Sequence, residues 1–600
     1  MRVVRALART AAAALTAAAL AAALAPAALA GECDDVMLKS EVEPGMTGTG
    51  FTVSRGRTPE PFDVEVLGIV PSYAGPGRDV ILIEADSPAI RRAGGIWYGM
   101  SGSPVYIGGR LVGALAYGFS ATTRVAGLTP ADDMEDLRTL RSIVRTGAAP
   151  RAVALPPALA RTVSARTGLP ASAVDTITQL RVPLSVSGLA PRRLPRVGRW
   201  ASKRGLAVLP YAGSSASGLL PAVAEPLEPG SNFAAAASYG DVTIAAIGTT
   251  TYVCDGRALA FGHPFTFGGL TSAGANAADA LAVVEDPLFG PYKLATVAET
   301  LGLVDQDRLA GLRALLGREP SGVPIRSTVT ASDTGRTRSG ETDIVVPDWV
   351  SFGAFLHVLS NLDTTYDAIT RGTAAAVWTI RGTRADGTPW RISRRNLYAN
   401  RYDITFEAAF DALDDLFALA DYPFEDVAVT GMTYSATLQR AVRQFTIARV
   451  LSAKGGGPLR ARRVLRVAPG ERIRVRVVLD PFEAGPNRVV DFSFRLPRRG
   501  RPVGVIQVGG GQFNRPGGEE EEEDGVALPT FDDVLNAVRG RPRNDVLTAD
   551  LRAGERMKLR QRRRTTVAGV VVGAALIELR PAGQGGGGGA APAPPAVGEG

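Results

Sequence analysis

"GIWYGMSGSPVYIGGRLVGALAYG", residues 95–118, decides how the N-terminal third of this chain is read. Two apolar runs flank Gly108-Gly109, a dipeptide that supplies the positive φ of a tight hairpin turn. Ahead of the hairpin stands Gly99-Met100-Ser101-Gly102-Ser103-Pro104. Residues this small fill a core poorly, but they bring backbone and a hydroxyl close to something else. Ser101 is a candidate nucleophile, and the amides of Gly99 and Ser101 are candidates to converge on one oxyanion. A Gly/Ser turn entering a hairpin is the plainer reading of the same letters. Ser103 is the rival hydroxyl, but Pro104 follows it, and two residues before it stands Ser101 instead of an open glycine.

Working outward, "FDVEVLGIV" (62–70) and "RDVILIEA" (78–85) read as strands, and "TPADDMEDLRTLRSIV" (129–144) as a helix with an acidic first turn. Residues 145–200, rich in Ala, Pro and Arg, read as a connector. β-Pattern returns over 205–330, where "GDVTIAAIGTTTYVCDGRALAFGHPF" (240–265) turns at Asp255-Gly256. "DQDRLAGLRALLG" (305–317) predicts a helix stopped by Gly317, and "IRSTVTAS" (325–332) a strand. Longer helical patterns occupy 345–445, including "FGAFLHVLSNLDTTYDAITRG" (352–372). Alternation over 459–497, with a Pro-Gly turn, predicts an antiparallel sandwich. "GGEEEEEDG" (517–525) reads as a solvated loop, and "TFDDVLNAVRG" (530–540) as a helix capped by Thr530. "TTVAGVVVGAALIEL" (565–579) is too short, and too interrupted by Glu578, to span a bilayer, and suits a buried strand.

The 600 residues suffice for three or four domains of about 150 residues each. A basic start, a long Ala/Leu run and Ala28-Leu29-Ala30 predict a secretory signal peptide over 1–30. Two cysteines, Cys33 and Cys254, remain after export and form a possible disulfide. Formal charge is +8 but the basic residues are scattered, and aromatics are only 6%. With export, that excludes nucleic acid as a partner. No metal site is implied, since only Cys254 and His263 lie near each other in sequence.

A nucleophilic serine needs a base. Of the two histidines, His357 sits in a helical stretch as a packed residue. His263 stands between Gly262 and Pro264 at the exit of the Asp255-Gly256 hairpin, a rigid position with an open face. Asp86 is the candidate to orient the imidazole, although Asp86-Ser87-Pro88 also reads as a helix cap. Asp255 and Asp241 read as turn residues. A lysine base, Lys39 or Lys293, has no spacing to support it.

These segments resemble the stage IV sporulation protein B peptidase family. "GGIWYGMSGSPVYIGGRLVGALAY" is similar to its serine segment, and "GRALAFGHPF" to its histidine segment. "EPGMTGTGFTVSRGRTPEPFDVEVLGIV" (43–70) is similar to the opening of exported proteins that carry this domain. The resemblance implies a serine endopeptidase on a trypsin-like pair of β-barrels. Ser101 would be the nucleophile, His263 the base and Asp86 the acid, with Gly99 and Ser101 at the oxyanion. The sporulation peptidases place histidine before serine; here Ser101 comes first, so a permuted order is expected.

The expected fold is therefore mainly β with some α: signal peptide (1–30), serine barrel (31–150), connector (151–204), histidine barrel (205–340), mixed helical region (341–450), β-sandwich (451–580) and disordered tail (581–600). The expected function is an exported serine endopeptidase needing no cofactor and acting on protein or peptide. It is either secreted or held outside the cytoplasm with the cell envelope as a possible partner, and has no membrane span in the mature chain. The alternative is an inactive envelope-associated binding protein on the same scaffold. Residues 345–600 lie outside the resemblance.

Overall fold

The computed structural model describes residues 33–72, 77–141, 152–203, 205–215, 226–511, 530–554 and 557–582. The expected leader, the acidic run 517–525 and tail residues 583–600 lie outside them. Two compact units divide the chain, Met1–Gly322 and Val323–Gly600.

Period-2 alternation builds the first unit. In β2 (Glu60–Val70), Phe62, Val64 and Val66 point inward to meet Ile81 and Ile83 of β3 (Val80–Asp86). With β1 (Thr47–Thr52), β4 (Pro104–Ile107), β5 (Arg110–Gly118) and β6 (Val125–Pro130), these strands run in the order β1-β2-β3-β6-β5-β4. Pairing of β4 with β1 closes them into a six-stranded antiparallel barrel. Gly108 and Gly109, both at positive φ, turn β4 into β5, as their spacing predicts.

A second barrel repeats this plan. Its strands are β11 (Asn232–Gly240), β12 (Thr243–Cys254), β13 (Arg257–Ala260), β14 (Gly269–Val284), β15 (Tyr292–Arg308) and β16 (Gly311–Leu316). Their order is β11-β12-β13-β16-β15-β14, and β14 pairs back onto β11. In each barrel the first three strands are followed by the sixth, fifth and fourth. The second interior is filled by small residues, among them Ala234, Ala236, Ala245, Ala278 and Ala295. The expected trypsin-like double barrel is present.

One element departs from expectation. Residues 305–317 form no helix: Arg308 and Gly311 pair across a turn and the ladder runs on to Gly302 opposite Leu316. Leu309, Leu312 and Leu316 have helical spacing, but barrel closure takes the backbone bonds that a helix would use. Gly311, at φ +129°, makes the turn.

The connector is structured. It carries β7 (Ala152–Ala154), β8 (Thr176–Gln179), β9 (Val182–Ser187) and β10 (Val208–Ala212) with helices Pro157–Thr167 and Leu194–Lys203. Strand β8 pairs with β5 of the first barrel, and β9 with β12 of the second. Residues 179–182 thus step from one barrel to the other. Cys33 and Cys254 form a disulfide, with Cα atoms 5.1 Å apart.

In the second unit, the region expected to be helical pairs helices Val350–Tyr366 and Ile404–Ala420 with five strands. These are Val323–Ala331, Arg336–Ile344, Gly372–Thr383, Pro389–Asn400 and Ala428–Gln439. The first, expected inside the histidine barrel (205–340), falls in this unit. His357 is fully buried and ties its helix to the strands, its ring nitrogens 2.9 Å from Thr342 Oγ1 and from Ser327 Oγ. Beyond it two sheets enclose a core of Leu465, Val475, Phe494, Ile506, Leu551 and Ile577. Gly573, at φ +95°, splits the apolar run 565–579 into Val570–Val572 and Ala574–Pro581, one in each sheet.

Candidate active site

Ser101 lies on the connection from the third to the fourth strand of the first barrel. His263 lies on the same connection of the second. Glycine shapes both. Gly102, at φ +99°, sits so close to the second barrel that a Cβ there would stand 2.0 Å from Thr249 O. Thr249 in turn donates its amide to Ser101 O at 2.8 Å and its hydroxyl to Gly99 O at 3.0 Å. On the other side, Phe261 takes φ +71°, rare for a bulky residue. Its ring packs edge-on to Phe233, and a Cβ on Gly248 would meet it at 2.3 Å.

This docking brings His263 Nε2 to 2.8 Å from Ser101 Oγ. His263 Nδ1 stands 2.9 Å from Pro264 O. A carbonyl only accepts, so Nδ1 carries the proton; in the neutral ring Nε2 then accepts from the serine hydroxyl. Complete burial pushes the imidazole down to about 4, against the opposing effect of the Pro264 bond. The ring is therefore neutral at ordinary pH. Ser103, the rival, is buried and its hydroxyl has no partner among the described residues.

The amides around Ser101 divide cleanly. Tyr98 N donates to Pro291 O, Met100 N to Trp97 O, Gly102 N to Leu115 O and Ser103 N to Met100 O. Gly99 N and Ser101 N donate to no acceptor among the described residues. Their peptide planes are pinned from behind: Tyr98 O accepts from Lys293 N at 2.8 Å, and Met100 O from Ser103 N at 2.9 Å. Two free donors at these offsets from a serine are what an oxyanion requires.

Asp86 does not orient the imidazole. Its carboxylate is held by Arg91 and, at 3.0 Å, by Arg124, while Pro264 O occupies the position at Nδ1 that a triad acid would take. The neighbouring Ser87 caps the short helix Pro88–Arg92, the turn role that the letters also allowed. Asp255, at φ +50°, is a turn residue. Lys39 reaches Gly77 O and Asp133.

Three residues have supporting roles that the sequence did not reveal, one of them, Lys293, having been weighed there only as a base. Gln179 Nε2 donates to Pro264 O at 2.7 Å, sharing that carbonyl with the imidazole. Fully buried Asp307 accepts from Phe265 N at 2.9 Å and from the amide and hydroxyl of Thr266, each at 2.7 Å. It fixes the loop that begins at His263. Burial pushes its carboxyl up while these donors pull it down. Its segment reads as helix, and this hid it. The third is Lys293, considered below. Ser101 is 1% exposed and His263 0%, so the pair is enclosed.

Two like barrels thus bring a serine hydroxyl and a neutral imidazole into contact, beside two amides with no acceptor among the described residues, and serine hydrolases use groups of these kinds. Residues 24–127 match the family described as SpoIVB peptidase S55, and the matched stretch spans most of the serine-bearing barrel. The match contains Ser101 and ends before His263. No curated protein and no solved structure matches this chain.

Proposed function

We propose that this protein is an exported serine endopeptidase working through a Ser101–His263 dyad. The observation that carries the reading is the 2.8 Å Oγ–Nε2 contact beside two uncommitted amides. In the mechanism, Ser101 Oγ attacks the scissile carbonyl as His263 Nε2 takes its proton. The Gly99 and Ser101 amides hold the oxyanion of the tetrahedral intermediate. His263 returns the proton to the leaving amine, and water then releases the acyl group by the same route. Pro264 O does the tautomer-fixing work of a triad carboxylate without its charge, which suits a ring of low basicity. Peptide or protein is the substrate. A leader over 1–30 and a disulfide suited to an oxidising compartment support export.

The enclosure of both side chains favours a second reading, an inactive binding protein of the cell envelope on the same barrels. Labelling the purified chain with a tagged alkyl fluorophosphonate separates the two. The peptidase reading expects labelling that is lost in Ser101→Ala and His263→Ala and kept in Ser103→Ala. Absence of labelling in the unmodified chain favours the binding protein.

A further inference from the structure

Among the described residues, Lys293 is the one charged side chain that the second barrel sends, fully buried, toward the serine loop. Its main-chain amide holds Tyr98 O at 2.8 Å. Its Nζ donates to Asn232 Oδ1 at 2.8 Å and lies 3.4 Å from Thr249 Oγ1. Thr249 Oγ1 spends its own proton on Gly99 O at 3.0 Å. The side chain passes so close that a Cβ on Gly99 would stand 2.7 Å from Lys293 Cβ. One residue thus grips both carbonyls that frame the peptide Tyr98–Gly99–Met100, whose Gly99 N–H is one of the two free donors.

We infer that Lys293, in its charged form, is the positioning residue of the oxyanion site, holding Gly99 through Thr249 and setting a buried positive charge behind the two amides. The inference rests on the peptidase reading above. A charge at this depth acts through little water, so it favours the oxyanion more than the neutral ground state.

The surroundings make the charge conditional. Asn232 and Thr249 are neutral, and burial raises the Tyr98 phenol, which stays neutral. Glu60 is the carboxylate whose field favours the ammonium. Arg57, which follows the Gly56 whose carbonyl accepts from Asn232 Nδ2, is engaged by Asp279 and Glu299. Desolvation prevails and pushes Lys293 down to about 7. Loss of that proton removes the charge and loosens the grip on Thr249. The site is then switched off on the alkaline side.

The test is the rate of fluorophosphonate inactivation from pH 5 to 10 in the unmodified chain and in Lys293→Met. The unmodified chain is expected to lose roughly ten- to hundredfold in rate above about pH 7. Lys293→Met is expected to show the low rate at every pH, with no alkaline limb. A role in folding alone would not move that limb. Labelling with the same pH profile in both proteins overturns the inference and leaves the dyad standing. No labelling of the unmodified chain at any pH overturns both. Should Lys293→Met fail to fold, the unmodified chain still decides: with five lysines, ¹⁵N-lysine spectra resolve the Lys293 titration. A midpoint that coincides with the alkaline limb supports the inference, and a midpoint above pH 9 sinks it.

Discussion

At the scale of single residues, the site works by what each group is denied. His263 is denied water and a carboxylate, so it remains neutral down to about pH 4. The consequence for stability has a definite sign. Between pH 6.5 and about 4 the unfolded chain binds a proton that the folded chain refuses, so folding loses ground as pH falls through that window. The loss amounts to about 3 kcal/mol once pH is below 4. Urea midpoints measured from pH 7 to 4 in the unmodified chain and in His263→Ala are expected to converge toward low pH. Parallel curves would refute the low imidazole basicity. Ser101 and His263 were legible in the sequence because small residues and proline isolate them from any packing role. Asp86 was misleading because a carboxylate before Ser-Pro is equally a helix-capping segment, and sequence cannot show that arginines from two elements claim it.

At the scale of elements, close approach of backbones builds the site. Gly102 lets the serine loop touch β12, and alanine there suffers both a positive φ and a clash with Thr249 O. Gly102→Ala is expected to cost at least about 3 kcal/mol and to abolish fluorophosphonate labelling. A variant that labels and melts like the unmodified chain would show that the loop yields easily. Strands of the first barrel were readable because their apolar alternation and Gly-Gly turn agree. The β15–β16 hairpin was not, because leucines spaced for a helix are equally acceptable in a strand, and only barrel closure selects between them. That misreading hid Asp307, whose work is to hold the loop after His263. Gln179 was hidden differently: nothing local tells that a connector residue reaches the carbonyl beside a distant histidine.

At the scale of the molecule, each barrel of the first unit offers half a site from the same strand connection. Which barrel comes first along the chain therefore leaves the geometry untouched, and serine-before-histidine order is compatible with the dyad. The Cys33–Cys254 bond fastens the start of the described chain to the second barrel across 221 residues. A loop of that size is worth about 5 kcal/mol by chain entropy. Cys254→Ser is expected to lower the melting temperature by roughly 10 °C, and an unchanged temperature would assign the bond no structural weight. The halving of the site also bears on how the protein is made. Ser101 and His263 are 162 positions apart, so a chain threading out N-terminus first presents its hydroxyl long before its base. Until the second barrel closes on the first, the nascent polypeptide carries a hydroxyl with no imidazole beside it, so on the peptidase reading the growing chain is spared its own chemistry.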